Sequence, residues 1–283
     1  MNYASPFKAK YTFRAGRVAV YIVILSGCVI TLAPFLWMIL TSFKSHIEAV
    51  SIPPTILPKQ WAASAYTSLG DKIPFYQMYL NTIITAAVTV AGQLLFCSLA
   101  GYAFGRIHFP GKNLLFLLCL SVLMIPTSFY ILPQYMIIQR LNLLNSIHAI
   151  YLPNLFSAFG AFLMRQFFMS LPKELEEAAQ IDGCGHGRIF LLVMLPLVKP
   201  GLVSLGILTL RFAWNNLMWP LIVNTSPQKM TLTAGLSYLQ GQYLSDYPSI
   251  MAGAVLAVIP LILLFAVFQK QFIEGVAFTG LKA

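Results

Sequence analysis

The chain has 283 residues, of which 58% are hydrophobic and only 9% charged, and it carries a net charge of +10. A soluble domain has about a quarter charged residues, so a soluble globular fold is excluded. The basic excess never gathers on one polar face, which argues against a nucleic-acid-binding role.

A membrane-spanning helix needs roughly 20 predominantly apolar residues. Six stretches meet or approach that length: 18–40, 81–105, 114–137, 147–168, 200–222 and 250–268. Residues 1–17 contribute Lys8, Lys10, Arg14 and Arg17 ahead of the first span. That span has a longer apolar core than the 7–15 residues of a signal peptide, and it is expected to be a retained helix. Residues 41–79 form a loop in which Pro53, Pro54, Pro58 and Pro74 favour extended, irregular backbone. The links 106–113 and 138–146 are short, so the spans they join are expected to be antiparallel neighbours.

Pro34, Pro126, Pro133, Pro153 and Pro260 lie inside the spans, as do Gly92, Gly101, Gly206 and Gly253. Spanning helices tolerate such residues where neighbouring groups satisfy the freed backbone. They read either as ordinary helix packing or as bends around a pathway that changes shape. A second loop, 224–249, begins with Asn224-Thr225-Ser226-Pro227 as a turn, and residues 269–283 are expected to form a C-terminal tail.

Basic residues set the orientation. With the amino terminus in the cytoplasm, Lys8, Lys10, Arg14, Arg17, Arg106, Lys112, Arg165, Lys173, Arg188, Lys199, Lys270 and Lys282 fall inside, against Lys44, Lys59, Lys72, Arg140 and Lys229 outside. That bias follows the positive-inside rule and puts both termini in the cytoplasm.

The inner loop 169–199 is the anomaly in this pattern, because Glu174, Glu176, Glu177 and Asp182 make up half of the eight acidic residues. Charge concentrated there is costly unless it meets water or a protein partner. Ser170-Leu171-Pro172 marks a helix start, with proline where its missing N–H does no harm. The glutamates then lie at the positive end of the helix dipole. Leu175, Ala178, Ala179 and Asp182 share one face by the three-and-four spacing, and Glu174, Glu177 and Ile181 share another. The adjacent alanines would let a partner approach the backbone closely, and Gly183, Gly185 and Gly187 stop the helix. A helix merely lying on the bilayer would carry Lys and Arg on its polar face, and this one carries glutamates.

The stretch Glu177-Ala178-Ala179, then Gly183, then Val193, Leu195 and Pro196 resembles the loop pattern E-A-A-x-x-x-G-x9-I-x-L-P. That pattern belongs to permease subunits of bacterial binding-protein-dependent ATP-binding-cassette importers, in the carbohydrate branch that includes the maltose permeases. Val193 replaces the usual Ile, and Cys184 the usual Ala after the glycine. The likeness extends to Thr41-Ser42-Phe43-Lys44, to Trp214-Asn215-Asn216-Leu217-Met218-Trp219-Pro220-Leu221 and to the ending Phe272 to Lys282.

The resemblance implies an all-α polytopic membrane protein of the bacterial inner membrane, with six transmembrane helices. A first helix at 18–40 would precede a five-helix type I importer core within 80–268, and a coupling helix would fit a groove on a cytoplasmic ATPase. Glu174, Glu177, Ala178, Ala179, Asp182, Gly183, Leu195 and Pro196 are assigned to that contact. The implied partners are a second permease subunit in a heterodimer, two copies of the ATPase, an extracytoplasmic solute-binding protein and membrane lipid, with no nucleic acid. By the same resemblance, the 224–249 loop reaches into the solute-binding protein.

No cofactor is expected in this chain: ATP and Mg would be bound by the ATPase. The chain has no G-x-x-x-x-G-K-[ST] phosphate loop. His46, His108, His148 and His186 lie apart, without metal-ligand spacing, and the four cysteines form no C-x-x-C pair. No catalytic role is indicated.

Candidates for the substrate pathway are Arg211, Trp214, Asn215, Asn216 and Asn154. Arg211 lies about 16 Å into a helix beginning near Pro200, close to mid-bilayer, where charge usually faces an interior or a water-filled cavity. No span contains an Asp or Glu. The counter-charge is therefore a carbonyl cluster, an acid on a partner subunit, or the cargo. Trp214, Asn215 and Asn216 offer the aromatic faces and amides that a sugar site needs, or else simple helix packing. Trp219 suits an interfacial aromatic belt. For Asn154, Gln93 and Gln134, interhelical hydrogen bonding is the commoner role.

The expected function is ATP-driven carbohydrate or oligosaccharide import by alternating access. An importer of an anionic solute, such as a uronate oligosaccharide or a phosphorylated polyol, is the alternative within the family. A secondary transporter would need coupling-ion acids inside the spans, and there are none.

Overall fold

The computed structural model describes residues 9–240 and 245–280, with side chains over 17–240 and 245–269. Lys8 and the last three residues, Leu281 to Ala283, therefore lie outside the described residues, as do the side chains of Lys10, Arg14, Lys270 and Glu274. The chain divides into two compact units, Met1–Leu69 with Leu239–Val255, and Gly70–Tyr238 with Leu256–Ala283. Among the described residues there is no strand, only an isolated antiparallel bridge between Gln240 and Ser245.

Three helices are long and apolar enough to cross a membrane alone. They are α1 (Ala9–Ser42), α2 (Phe75–Arg106) and α11 (Tyr247–Gly280). Pro34 sits inside α1 and Pro260 inside α11. The other three candidate spans are bent pairs, and the third of them does not coincide with the expected 200–222.

The stretch expected at 114–137 is α3 (Lys112–Ser121), a 3₁₀ turn Val122–Met124, and then α4 (Thr127–Arg140), bent by 106°. Proline disfavours helical backbone at the residue before it, and Ile125 is extended at φ −91°, ψ 119° ahead of Pro126. The stretch at 147–168 is α5 (Ile147–Tyr151) with a 3₁₀ turn to Asn154, then α6 (Ala158–Met169), bent by 42°. Ser157 begins α6 by accepting the Gly160 N–H at 3.1 Å. The third bent pair joins His186–Leu197 to α8 (Lys199–Asn215) at 78°, so it starts within the expected inner loop 169–199. The rest of 200–222 is a separate short helix, α9 (Met218–Val223). Asn216, between α8 and α9, is extended. It lies four residues before Pro220, whose ring excludes that carbonyl from a continuing helix.

In the first unit, Thr41-Ser42-Phe43-Lys44 is a packing motif at the end of α1. Ser42 Oγ lies 2.7 Å from the Tyr66 hydroxyl. The Phe43 ring packs against Trp61 and Tyr66 at 5.6 and 5.3 Å between centroids. Lys44 is 2% exposed, donates to the Thr55 carbonyl, and holds its ammonium 4.5 Å from the centre of the Trp37 ring. Glu48, in the short helical turn His46–Ala49, accepts from the Lys59 N–H at 2.8 Å and the Thr55 hydroxyl at 2.9 Å. The loop around Pro53, Pro54 and Pro58 is thus irregular, as expected, yet closed on itself.

In the second unit α2 is central and packs along α6 and α8. Small residues let the backbones meet, as is usual between spanning helices. A Cβ at Gly101 would stand 2.6 Å from Met164 Cβ, and one at Gly160 would stand 2.7 Å from Cys97 Sγ. The start of the 224–249 loop is folded onto α2. Asn81 Nδ2 donates to the carbonyls of Gln228 (2.8 Å) and Met230 (2.9 Å), and Thr82 Oγ1 accepts the Leu232 N–H at 2.8 Å. α10 (Leu232–Leu236) then buries Leu232 and Ala234 completely. Trp219, suited by sequence to an interfacial belt, is instead buried, and its Nε1 donates to the Ala149 carbonyl at 2.9 Å.

Candidate functional site

The acidic loop folds into α7 (Glu174–Ile181), two residues shorter at its start than the prolines and glycines suggest. Its C-terminus is a Schellman motif. Gly183 takes φ +78°, Gly183 N–H bonds the Gln180 carbonyl, and Cys184 N–H bonds the Ala179 carbonyl, both at 2.9 Å. This satisfies carbonyls that the helix end would otherwise orphan, and glycine alone takes the left-handed turn without strain. Beyond it, Ile189–Met194 is π-helical, a rare geometry often found at functional sites.

One face of α7 is held down. Ala179 is buried in a cluster with Tyr102, Phe168, Ile189, Phe190, Met194 and Val198. The Tyr102 ring meets Phe168 at 5.5 Å and Phe190 at 5.2 Å. Leu195 packs at the edge of this cluster, and Pro196 is exposed. Glu176, which the sequence motif does not single out, is the second anchor. Its Oε2 lies 3.6 Å from Arg106 Nη1, with side-chain exposures of 13% and 6%. Arg106 is the last residue of α2, and it also donates from Nε to the Phe168 carbonyl at 2.9 Å and from Nη2 to the Leu171 carbonyl. A single guanidinium therefore joins the ends of α2, α6 and α7. Arg106 and Glu176 were missed in sequence because their pairing spans 70 residues; the only available signal was a third glutamate on the side of α7 that carries Ala179.

The other face is open. Glu174, Glu177, Ala178 and Ile181 recur at three-and-four spacing and are all exposed, Ile181 to 87%; Asp182 continues the exposed surface. Of the residues expected to meet a partner, Glu174, Glu177, Ala178 and Asp182 share this exposed surface, whereas Ala179 and Leu195 face the buried cluster and Gly183 and Pro196 lie beyond α7. A rigid support thus presents carboxylates, one small residue and one apolar apex.

The pathway candidates are divided. Arg211 and Asn215 are exposed on one face of α8, beside Leu208 and Phe212, and Asn215 Nδ2 donates to the Arg211 carbonyl at 2.9 Å. Trp214 points the other way: it is buried, donates to the Ala257 carbonyl at 3.1 Å, and meets Tyr79 edge-on at 6.1 Å. Asn216 is half-buried at the break after α8. Asn154 bonds the Ile150 carbonyl at 2.9 Å through its side chain, and its own carbonyl accepts from Gln93 Nε2 at 2.9 Å. Gln93 Oε1 accepts from Thr209 at 2.7 Å, so this amide ties α2 to α8 and to the bend before α6.

Residues 96–277 match the family described as the inner membrane component of binding-protein-dependent transport systems. The chain is 36% identical over 256 residues to the arabinooligosaccharides transport system permease protein of Halalkalibacterium halodurans, covering 89% of this chain and 92% of that one. It is 35% identical over 207 residues to the sn-glycerol-3-phosphate transport system permease protein of Shigella flexneri, covering 72% and 74%. Its fold matches a chain in the crystal structure of a bacterial ABC transporter involved in the import of the acidic polysaccharide alginate. The TM-score is 0.81 at 23% identity, over 95% of this chain and all of that one.

Proposed function

The chain belongs to the inner membrane components of binding-protein-dependent transport systems, and from that premise we propose how it couples transport to a separate ATPase. It is a transmembrane permease subunit of an ATP-driven ABC importer. The observation that carries the coupling reading is the two-sidedness of α7, whose buried face is fixed by Arg106 and the aromatic cluster while Glu174, Glu177, Ala178 and Ile181 stand free.

In this reading Glu174, Glu177, Ala178, Asp182 and the apex at Ile181 fit a groove on a cytoplasmic ATPase, of which two copies bind ATP and Mg. Ala179, Gly183, Leu195 and Pro196 hold the loop in shape. Movement of the ATPase reaches the spans through Arg106, because a packed, ion-paired support transmits displacement instead of absorbing it. Both termini face the cytoplasm, as the distribution of basic residues suggests. A second permease subunit, making a heterodimer, covers the exposed α8 face bearing Arg211 and Asn215, and an external solute-binding protein delivers the cargo.

The cargo is a carbohydrate or oligosaccharide. What supports this is the identity to the arabinooligosaccharide permease over 92% of its length, with the amides of Asn215 and Asn216 available at the α8 break. Two observations favour an anionic solute: Arg211 is exposed on α8, four residues before that helix ends at Asn215, and the chain is 35% identical to an sn-glycerol-3-phosphate permease. The test is solute-stimulated ATP hydrolysis by the purified complex across a panel of neutral and acidic saccharides. Stimulation by at least one saccharide is expected; a complex stimulated by none of them and by a non-sugar solute would overturn the substrate class.

A further inference from the structure

A pocket of about 740 Å³ opens beside the same end of the second unit as α7. It is lined by Gly105, His108, Lys112, Asn113 and Arg165 among others, and no lining residue is acidic. Arg165 Nε donates to the Phe104 carbonyl at 3.0 Å, and its guanidinium carbon stands 4.3 Å over the Phe116 ring. The ring and the carbonyl hold the guanidinium in place, leaving its terminal N–H groups for a ligand. Lys112 Nζ donates to the Ile107 carbonyl at 2.9 Å and more weakly to Gly105 at 3.4 Å, so its stem is also fixed. Two positioned cations with no carboxylate among the lining residues call for an anion. The first turn of α3 adds to this, because its cap, Gly111, has no side chain to satisfy the leading N–H groups, and helix N-termini attract phosphate.

We propose that this pocket binds the phosphate of an anionic phospholipid headgroup. A phosphate ester, whether on a lipid or free in solution, satisfies the arginine fork, the ammonium and the helix terminus together. The surroundings favour the lipid. The pocket lies where the spanning helix α2 ends and α3 begins, at the edge of an apolar stretch. Just beyond Lys112, Leu114, Leu115, Leu117 and Leu118 are each more than half exposed, offering a surface for acyl chains below the headgroup. Basic pockets between spanning helices suit anionic headgroups in this way. The site goes beyond the transport reading, and its readout is lipid retention, so its failure leaves that reading untouched.

The assembled complex, carried through nanodiscs of phosphatidylcholine containing phosphatidylglycerol, is examined for retained lipid by native mass spectrometry. The unaltered protein is expected to retain phosphatidylglycerol in preference to phosphatidylcholine, and millimolar inorganic phosphate should not displace it. Lys112→Gln with Arg165→Gln should lower retention by on the order of thirtyfold, from the contribution each basic residue makes near anionic lipid. Asn113→Glu, at an exposed position where a carboxylate suits the helix terminus, should also lower it, and it decides the matter if the double variant does not assemble. Equal retention in the unaltered protein and the assembled variants, or no headgroup preference, would overturn the proposal. Displacement by inorganic phosphate, with phosphate bound in place of the lipid, would overturn the lipid as its source.

Discussion

Arg106 Nη1 stands 3.6 Å from Glu176 Oε2, joining the last residue of a spanning helix to the underside of the acidic helix α7. Both side chains are largely buried, and removing one partner of such a pair leaves a charge uncompensated. Arg106→Ala also frees the carbonyls of Phe168 and Leu171. The expected cost is about 3 kcal/mol, together with loss of solute-stimulated ATP hydrolysis. A double-mutant cycle with Glu176→Gln checks it: the two substitutions should be strongly non-additive, and additive losses would show that the pair carries no coupling.

Gly101 supports the same region by letting α2 approach α6. A Cβ there would stand 2.6 Å from Met164 Cβ and 2.8 Å from the Arg165 nitrogen. Because one of those atoms is backbone, the helices must separate. Gly101→Ala is expected to cost about 1–3 kcal/mol by overpacking, read as a lower thermal midpoint in detergent. An unchanged midpoint would mean that the helices yield freely.

The loop after α1 has a pH dependence set by Glu48. The Lys59 N–H that it accepts, with the Thr55 hydroxyl and the positive charges of Lys44 and Lys59, holds its carboxyl below the ordinary glutamate range despite some opposing desolvation. A lowered folded value means that the stabilisation is present above the unfolded value and is lost as pH falls through the folded one. The loop should therefore resist proteolysis fully at neutral pH and lose that protection progressively as pH falls from the ordinary glutamate value to the lower folded one. Glu48→Gln should weaken that protection at neutral pH and remove its dependence on acid; an identical acid profile in the variant would contradict this.

Arg211 separates neutral from anionic cargo. If the guanidinium meets an acidic substituent of the cargo, Arg211→Ala should reduce uptake of acidic oligosaccharides at least tenfold more than that of neutral ones, a difference of about 1.4 kcal/mol. Equal losses would assign Arg211 to carbonyls or to the second permease subunit. Parallel uptake assays with labelled solutes in proteoliposomes decide between them.

The acidic helix was legible because its signals are local. Carboxylates follow Pro172, glycine stands at Gly183, and periodicity separates two faces, so the expected helix and the observed Glu174–Ile181 nearly coincide. Five of the six candidate spans were legible by length and composition, the exception being His186–Asn215 where 200–222 was expected, and Pro126 was visible as a breaker. The 106° bend at that point was not, because proline fixes where a helix breaks while packing sets the direction in which the chain continues. Arg106 with Glu176, and Asn81 with the carbonyls of Gln228 and Met230, are joined across long separations that one sequence leaves unmarked. Trp219 was misplaced for a related reason: an aromatic near a span end suits lipid headgroups and a buried carbonyl partner equally well.

The docking of α7 on an ATPase is tested most directly by Ala178→Cys, placed at an exposed position on its open face. Cross-linking is done in the assembled importer with a short bifunctional reagent. Ile47→Cys, 81% exposed in the loop after α1, serves as the control. The expected result is an adduct with the ATPase from Ala178→Cys, altered by ATP, and none from Ile47→Cys. No ATPase adduct from Ala178→Cys in an intact complex would contradict the assignment of this loop.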